Sequence, residues 1–201
     1  MSFLFKRSRL PEGVDPERVP PGQTLTAPGR WPLLHFGPVP KSDLAKWSFQ
    51  VFGLVENALT FDYEQLRALP AAEVTADIHC VTGWSRLGDT WKGVPIKEIL
   101  DRARPLPEAR YVMAHCDHGY TTSVPLDVLA DDDVMLCYGW NGADLTPEHG
   151  WPLRLLIPKK YFWKSAKWLR GLEFMARNRL GFWEQRGYHD EADPWKEQRY
   201  W

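Results

Sequence analysis

The sequence predicts an α+β fold of mixed sheets and short helices. Three observations lead there. Apolar, strand-like runs alternate irregularly with short helical segments, unlike the regular alternation of a doubly wound parallel sheet. Neither a glycine-rich dinucleotide fingerprint nor a P-loop occurs. A chain of 201 residues, 44% hydrophobic and 25% charged, is long and apolar enough for one well-buried domain.

Residues 1–46 are rich in Pro, Gly and charge and have no sustained period. They predict an arm lying over the domain, disordered at its start. The domain proper, residues 47–201, begins with WSFQVFGLV as a strand. YEQLRAL follows as a short helix, and EVTADIHCV as a second strand ending at Cys80. TGWSRLGDTWKG, with Gly83, Gly88 and Gly93, reads as a loop. Pro95 then opens the helix PIKEILDRA in the favoured first-turn position. ARYVMAHCD is a third strand, PLDVLA a short helix, and VMLCYGW a fourth strand closed by the hairpin pair Asn141-Gly142. PLRLLIP and KWLRGLEFM complete the strands, and residues 181–201 form an aromatic, polar tail.

A formal net charge of -1 argues against a nucleic-acid binder. Cys80, Cys116 and Cys137 form no disulfide framework and fit a reducing compartment. The opening MSFLFKRSRLPEGVDPERVPPG lacks the roughly 7–15 apolar residues of a secretion signal. No window approaches the roughly 18 apolar residues of a membrane span. A cytoplasmic protein without a membrane span is expected. The charge is uneven. Six acids and no Lys or Arg lie from Asp127 to Glu148, whereas Arg154 to Arg179 holds eight cations against Glu173 alone. Interleaved with Tyr161, Phe162, Trp163 and Trp168, those cations suit a compact anion such as a phosphate.

Cys80 stands out because it ends a strand and enters a glycine-rich turn, where ligand and catalytic residues concentrate. A free cysteine is also an ordinary small core residue. A zinc site drawn from His79, Cys80, His115, Cys116 and His118 lacks a C-x-x-C pair. A thiol enzyme pairing Cys80 with one of the six His is a further alternative.

Four segments carry a resemblance. HCVTGWSRLGDTWKGVPI, HGYTTSVPL, YGWNGADLTPEHGWPLRLLIP and KKYFWKSAKWLRGLEF, in this order, resemble the molybdopterin-binding domain of the sulfite oxidase family. That family also contains nitrate reductases and methionine sulfoxide reductase catalytic subunits. The likeness runs from about His35 to Tyr188 and implies the sulfite oxidase-type molybdopterin-binding fold. It implies one molybdenum–molybdopterin cofactor per chain, with Cys80 as the metal's thiolate ligand, a role that suits a soft donor. Tyr120 matches the family's active-site tyrosine, a hydrogen-bond or proton partner near the reacting oxygen. His149 and Arg154 match the residues that hold the pterin and its phosphate. Ser165, Ala166 and Lys167 match the segment that completes the phosphate pocket. His35 and Phe36 look like the arm segment that closes over the cofactor. Cys116 falls near a pterin-contacting position, and the cationic segment is expected to face the phosphorylated pterin.

The chain departs from the sulfite oxidase pattern at the cations expected for a small anionic substrate. Leu33, Trp84 and Ser85 stand where arginines are usual, which leaves Arg86 as the local candidate for substrate contact. The resemblance therefore implies two-electron oxygen-atom transfer, with reduction of a neutral sulfoxide or N-oxide favoured over sulfite oxidation. It also implies a monomer that relies on a separate electron-transfer protein. A cofactor-holding protein without turnover, or a thiol-dependent enzyme using Cys80, are the alternatives.

Overall fold

A computed structural model describes residues 10–201. The first nine residues, where the arm was expected to be disordered, lie outside the described residues. In chain order the strands are β1 (Thr24–Leu25), β2 (Phe49–Gly53), β3 (Leu59–Phe61), β4 (Ala72–His79), β5 (Trp84–Pro95), β6 (Tyr111–Cys116), β7 (Thr121–Pro125), β8 (Met135–Trp140), β9 (Ala143–Asp144), β10 (Arg154–Leu156) and β11 (Leu169–Met175). The helices are α1 (Tyr63–Arg67), α2 (Ile96–Ala103) and α3 (Leu126–Leu129). None among the described residues is long and apolar enough to cross a membrane.

Local chemistry explains the helix ends and the hairpin. Asp62 and Gln65 form a reciprocal capping box at the start of α1, at 2.8 and 3.0 Å. Pro95 closes β5 and caps α2, which buries Ile96, Ile99 and Ala103. Asn141 and Gly142 both have positive φ, as a tight hairpin between β8 and β9 requires.

Two mixed sheets result. In the first, β5 pairs antiparallel with β4 and β8 and parallel with β1, while β10 and β9 extend from β8. In the second, the order is β3-β2-β11-β6-β7, with only β2 and β11 parallel. A shared core takes Val94, Leu136 and Leu155 from the first sheet and Phe49, Val112 and Leu172 from the second. Met135, Cys137 and Leu156 alternate to the other face of the first sheet, where Trp31 and Trp91 cover them. The arm is part of the architecture: it supplies β1, and Arg18 pairs with Asp77 at 2.6 Å.

One expected element is overturned. The segment 82–93 is a loop only at its start, and from Trp84 it is the long strand β5. Its period-two burial was masked because buried Ser85 and Asp89 occupy inward positions normally held by apolar residues. Gly83 and Gly88, at positive φ, serve the backbone path, whereas Gly93 serves close packing. A Cβ at Gly93 would collide with the Leu136 carbonyl and the Cys137 backbone of β8. Gly93→Ala is therefore expected to lower stability by about 1–3 kcal/mol through forced strand separation, measurable as an earlier urea midpoint.

Candidate active site

Beyond the covered face of the first sheet lies a cavity of about 360 Å³. The arm contributes Trp31, Leu34, His35 and Phe36 to its wall. The β4–β5 turn contributes Cys80, Thr82 and Trp84, and the start of β7 is preceded by Tyr120. Its remaining wall is built by His149, Arg154 and, from the crossover to β11, Phe162, Trp163 and residues 165–168, closed by Trp183 and Tyr188 of the tail. No Asp or Glu among the described residues lines it. A cavity with Arg, Lys and His but no carboxylate is suited to an anion.

Cys80 sits at the end of β4, and its backbone N–H donates to the Trp84 carbonyl at 2.8 Å, closing the turn. Gln23 of the arm donates to the Cys80 carbonyl at 3.1 Å, and Thr82 donates its hydroxyl to Cys80 Sγ at 3.2 Å. Arg199 of the tail grips the Val81 carbonyl. The thiol thus has an ordered seat. Burial pushes it above its ordinary value, with the Thr82 hydrogen bond opposing. That direction is opposite to what an activated thiolate nucleophile needs. A metal supplies the missing positive charge when it binds a thiol.

Across the cavity, Arg154 is 1% exposed and has no carboxylate partner. Its guanidinium donates to the His149 carbonyl at 2.9 Å and the Ser165 carbonyl at 2.6 Å, while Nε remains unpartnered. Phe162, Trp31 and Trp91 surround it, with ring centroids 4.2, 5.6 and 5.7 Å from Cζ. Burial pulls it down to about 9, still cationic at neutral pH. Lys167 spends two donors on the Leu34 and Glu148 carbonyls, both at 2.8 Å, so one N–H is left. Burial and the neighbouring Arg154 bring it down to about 7. His149 is lowered to about 4, by burial first and the two cations next, so its ring is neutral. Nδ1 pairs with the Thr146 hydroxyl at 2.9 Å, Nε2 has no partner, and the ring stacks on Trp31 at 3.8 Å.

Among the expected site residues, His35, Phe36, Cys80, Tyr120, His149 and Arg154 line this cavity, as do Ser165, Ala166 and Lys167. The Ser165 hydroxyl is already bonded to the Ile157 N–H at 2.8 Å, and its carbonyl to Arg154. The Tyr120 hydroxyl donates to the Trp163 carbonyl at 2.7 Å. Two expected residues fall elsewhere. Arg86 belongs to β5 and is locked in a bidentate pair with Asp89, at 2.7 and 2.8 Å, beneath Trp140. It does not line the cavity and is not available for substrate contact. Cys116 ends β6 inside the shared core, and burial pushes its thiol far up. The cationic segment also divides. Lys159 pairs with Asp131, Lys164 with Glu184, Arg170 with Asp117 and Arg179 with Glu173, Lys160 and Arg177 lie off the cavity wall, and only Arg154 and Lys167 line it. Asp131 and Glu184, which lie outside the segment and are reached by folding, are invisible in a count along it. The zinc alternative has no geometric support: among the described residues no three His, Cys, Asp or Glu are placed to hold a metal. Trp31, which stacks on His149 and flanks Arg154, went unnoticed because nothing in the arm's composition distinguishes it.

The class of protein follows from comparison with known chains. Residues 36–183 match the oxidoreductase molybdopterin-binding domain, and the chain belongs to that family. It is 49% identical over 184 residues to the uncharacterized oxidoreductase YuiH of Bacillus subtilis, covering 91% of this chain and 92% of that one. An Azospira oryzae protein, YedZ1, whose name proposes it as a protein-methionine-sulfoxide reductase subunit, is 30% identical over 147 residues. That match covers 73% of this chain and 56% of YedZ1. The sulfane dehydrogenase SoxCD from Paracoccus pantotrophus shares the fold, with a TM-score of 0.68 and 24% identity, over 77% of this chain and 44% of that one. The residues present fit a phosphorylated, thiolate-bound cofactor. The unpartnered Arg154 Nε and His149 Nε2 await an acceptor, the lining is cationic without acids, and Cys80 offers one soft donor.

Two outcomes test this account. Arg86→Ala leaves Asp89, whose side chain is 4% exposed, as an uncompensated buried charge; a stability loss of about 3–5 kcal/mol in urea unfolding is expected. In the cofactor-free chain, sulfate keeps its charge between pH 6 and 9 while Lys167 loses its proton near 7. Because bound sulfate favours protonated Lys167, affinity is expected to fall as pH rises, by roughly tenfold. Calorimetric titration checks this, and Lys167→Met should flatten the profile.

Proposed function

We propose that the chain is a molybdenum–pterin-dependent oxidoreductase that reduces a small neutral oxide, a sulfoxide or N-oxide. Electrons would come from a separate protein, as the word subunit in the name of YedZ1 supports. One observation carries the substrate class. The cavity's two cations, Arg154 and Lys167, sit where a cofactor phosphate would engage them, and Arg86 is occupied by Asp89. No further Lys or Arg among the described residues lines the wall. A compact dianion such as sulfite needs converging cations in a dry pocket, whereas an aromatic wall of Trp84, Trp163, Trp183 and Tyr188 suits a neutral, partly apolar molecule.

The residues would divide the work as follows. Cys80 holds the metal through its thiolate, and Arg154, Lys167 and the neutral His149 ring hold the pterin and its phosphate. His35 and Phe36 close the arm over the mouth, Phe36 resting on Phe182 at 4.2 Å. Tyr120, raised well above its ordinary value mainly by burial, keeps its phenolic proton at neutral pH. Bound here, one cofactor per chain supplies the two-electron redox chemistry and oxygen-atom exchange, while the protein supplies binding, burial and orientation. The three buried free cysteines support a reducing compartment such as the cytoplasm.

Elemental analysis of purified protein, followed by reduced-viologen assays with sulfoxides, N-oxides, nitrate and sulfite, tests the reading. Molybdenum near one atom per chain and turnover of neutral oxides are expected. Cys80→Ser is expected to abolish turnover with the fold retained. Sulfite oxidation within the usual enzyme range of roughly 10⁴–10⁸ M⁻¹s⁻¹ would falsify the substrate class.

A further inference from the structure

A buried ion pair stands outside the machinery described so far. Lys164 and Glu184 are 0% and 2% exposed, with Nζ and Oε1 2.5 Å apart. Lys164 also donates to the Ser123 carbonyl at 2.7 Å, and Asp190 lies 3.6 Å away. Glu184 accepts everything on one oxygen: Oε1 also receives the Thr122 hydroxyl at 2.6 Å and the Trp163 indole N–H at 3.2 Å. Oε2 is buried without a partner. Apolar residues of similar volume often replace such a pair without loss of stability, so stability alone is a weak reason for these charges.

Trp163 gives them another. Its ring lines the cavity and packs in the cluster around Cys80. It stacks on Tyr161 at 5.4 Å and meets Tyr188 edge-on at 5.1 Å. Its carbonyl is the acceptor that fixes the Tyr120 hydroxyl. Packing alone leaves an aromatic ring free to slide, whereas a bond from its only donor to a carboxylate anchored by Lys164 sets one orientation. We infer that Glu184 is a positioning residue: through the Trp163 indole it fixes the cavity wall beside Cys80 and so sets how far the cavity opens at the thiol. The tail is then a working wall of the site. This takes the cavity as the active site, but the readout below is independent of any substrate.

In the full 201-residue chain prepared without cofactor, the rate of Cys80 alkylation by iodoacetamide, resolved by peptide mass mapping, reports that opening. Lys164→Met/Glu184→Leu removes both the ion pair and the acceptor. Lys164→Met/Glu184→Gln removes the ion pair but keeps an amide oxygen for Trp163. Labelling about tenfold faster is expected in the first, the worth of one hydrogen bond to a charged group, and within about twofold of the unaltered chain in the second. Trp163→Phe, which spares the ion pair, is also expected to label fast, and in its background the Leu and Gln variants should label alike. Equal rates in the two double variants, an unaltered rate in Trp163→Phe, or a Leu–Gln difference that persists in its background each overturn the assignment.

Discussion

The structure depends on a guanidinium buried without a counter-ion. Removing Arg154 from water costs several kcal/mol, and the described residues offer no carboxylate in return. It offers two carbonyls, three aromatic faces and an unfilled Nε. Much of the local architecture serves that arrangement. β10 carries Arg154 into register with Cys137 of β8, and an isolated bridge ties Arg154 to Lys167. Gly150, at φ +112°, brings the preceding turn so close that a Cβ there would press on the Arg154 and Lys167 side chains. Charge that the fold leaves uncompensated is compensated when an anion arrives, so cofactor binding and local stability are expected to be one linked equilibrium.

The tryptophan content has a related cause. Five of the eleven tryptophans line the cavity, and Trp91 and Trp140 stand immediately behind it. Indoles cover a buried cation without supplying a negative charge, which a carboxylate would do at the expense of anion binding. They also make a dry, largely apolar wall. Arg86 fits the same logic from the other side: its bidentate bond to Asp89 props Trp140, which borders Trp31 at 4.7 Å. A residue expected at the substrate is therefore part of the support of the aromatic wall.

Much of the fold and cavity was legible in the sequence, and the misses share a physical origin. Residue type at a strand end or helix cap is a local signal, so Cys80, the Asn141-Gly142 turn and the α2 boundary could be read directly. Motif likeness carried His149, Arg154 and Lys167. What failed was inference about partners far along the chain. Glu184, 20 positions away, turns Lys164 from an expected cavity cation into a buried ion-pair partner, and Asp131, 28 positions away, takes Lys159. Arg86 is the exception, held by Asp89 only three positions on once both lie in β5. Buried polar residues in β5 broke the apolar alternation and disguised a strand as a loop. Cys116 was displaced from the site by the alternation that turns its side chain into the shared core.

The arm and tail decide more than their composition suggests. The family match begins at Phe36 and ends at Trp183, yet Trp31, Leu34 and His35 lie before it and Tyr188 after it, all in the cavity wall. Both flanks are held by specific bonds: Gln23 to the Cys80 carbonyl, Lys167 to Leu34, Glu184 to Lys164 and Arg199 to Val81. The matched stretch supplies Cys80, Arg154 and Lys167, the thiol and both cations of the wall. The flanks add Trp31, Leu34 and His35 on one side and Tyr188 on the other, while Trp84, Trp163 and Trp183 of the aromatic wall belong to the matched stretch. The cavity wall therefore joins shared motifs to flanking segments, and the fold by itself does not set what the cavity admits.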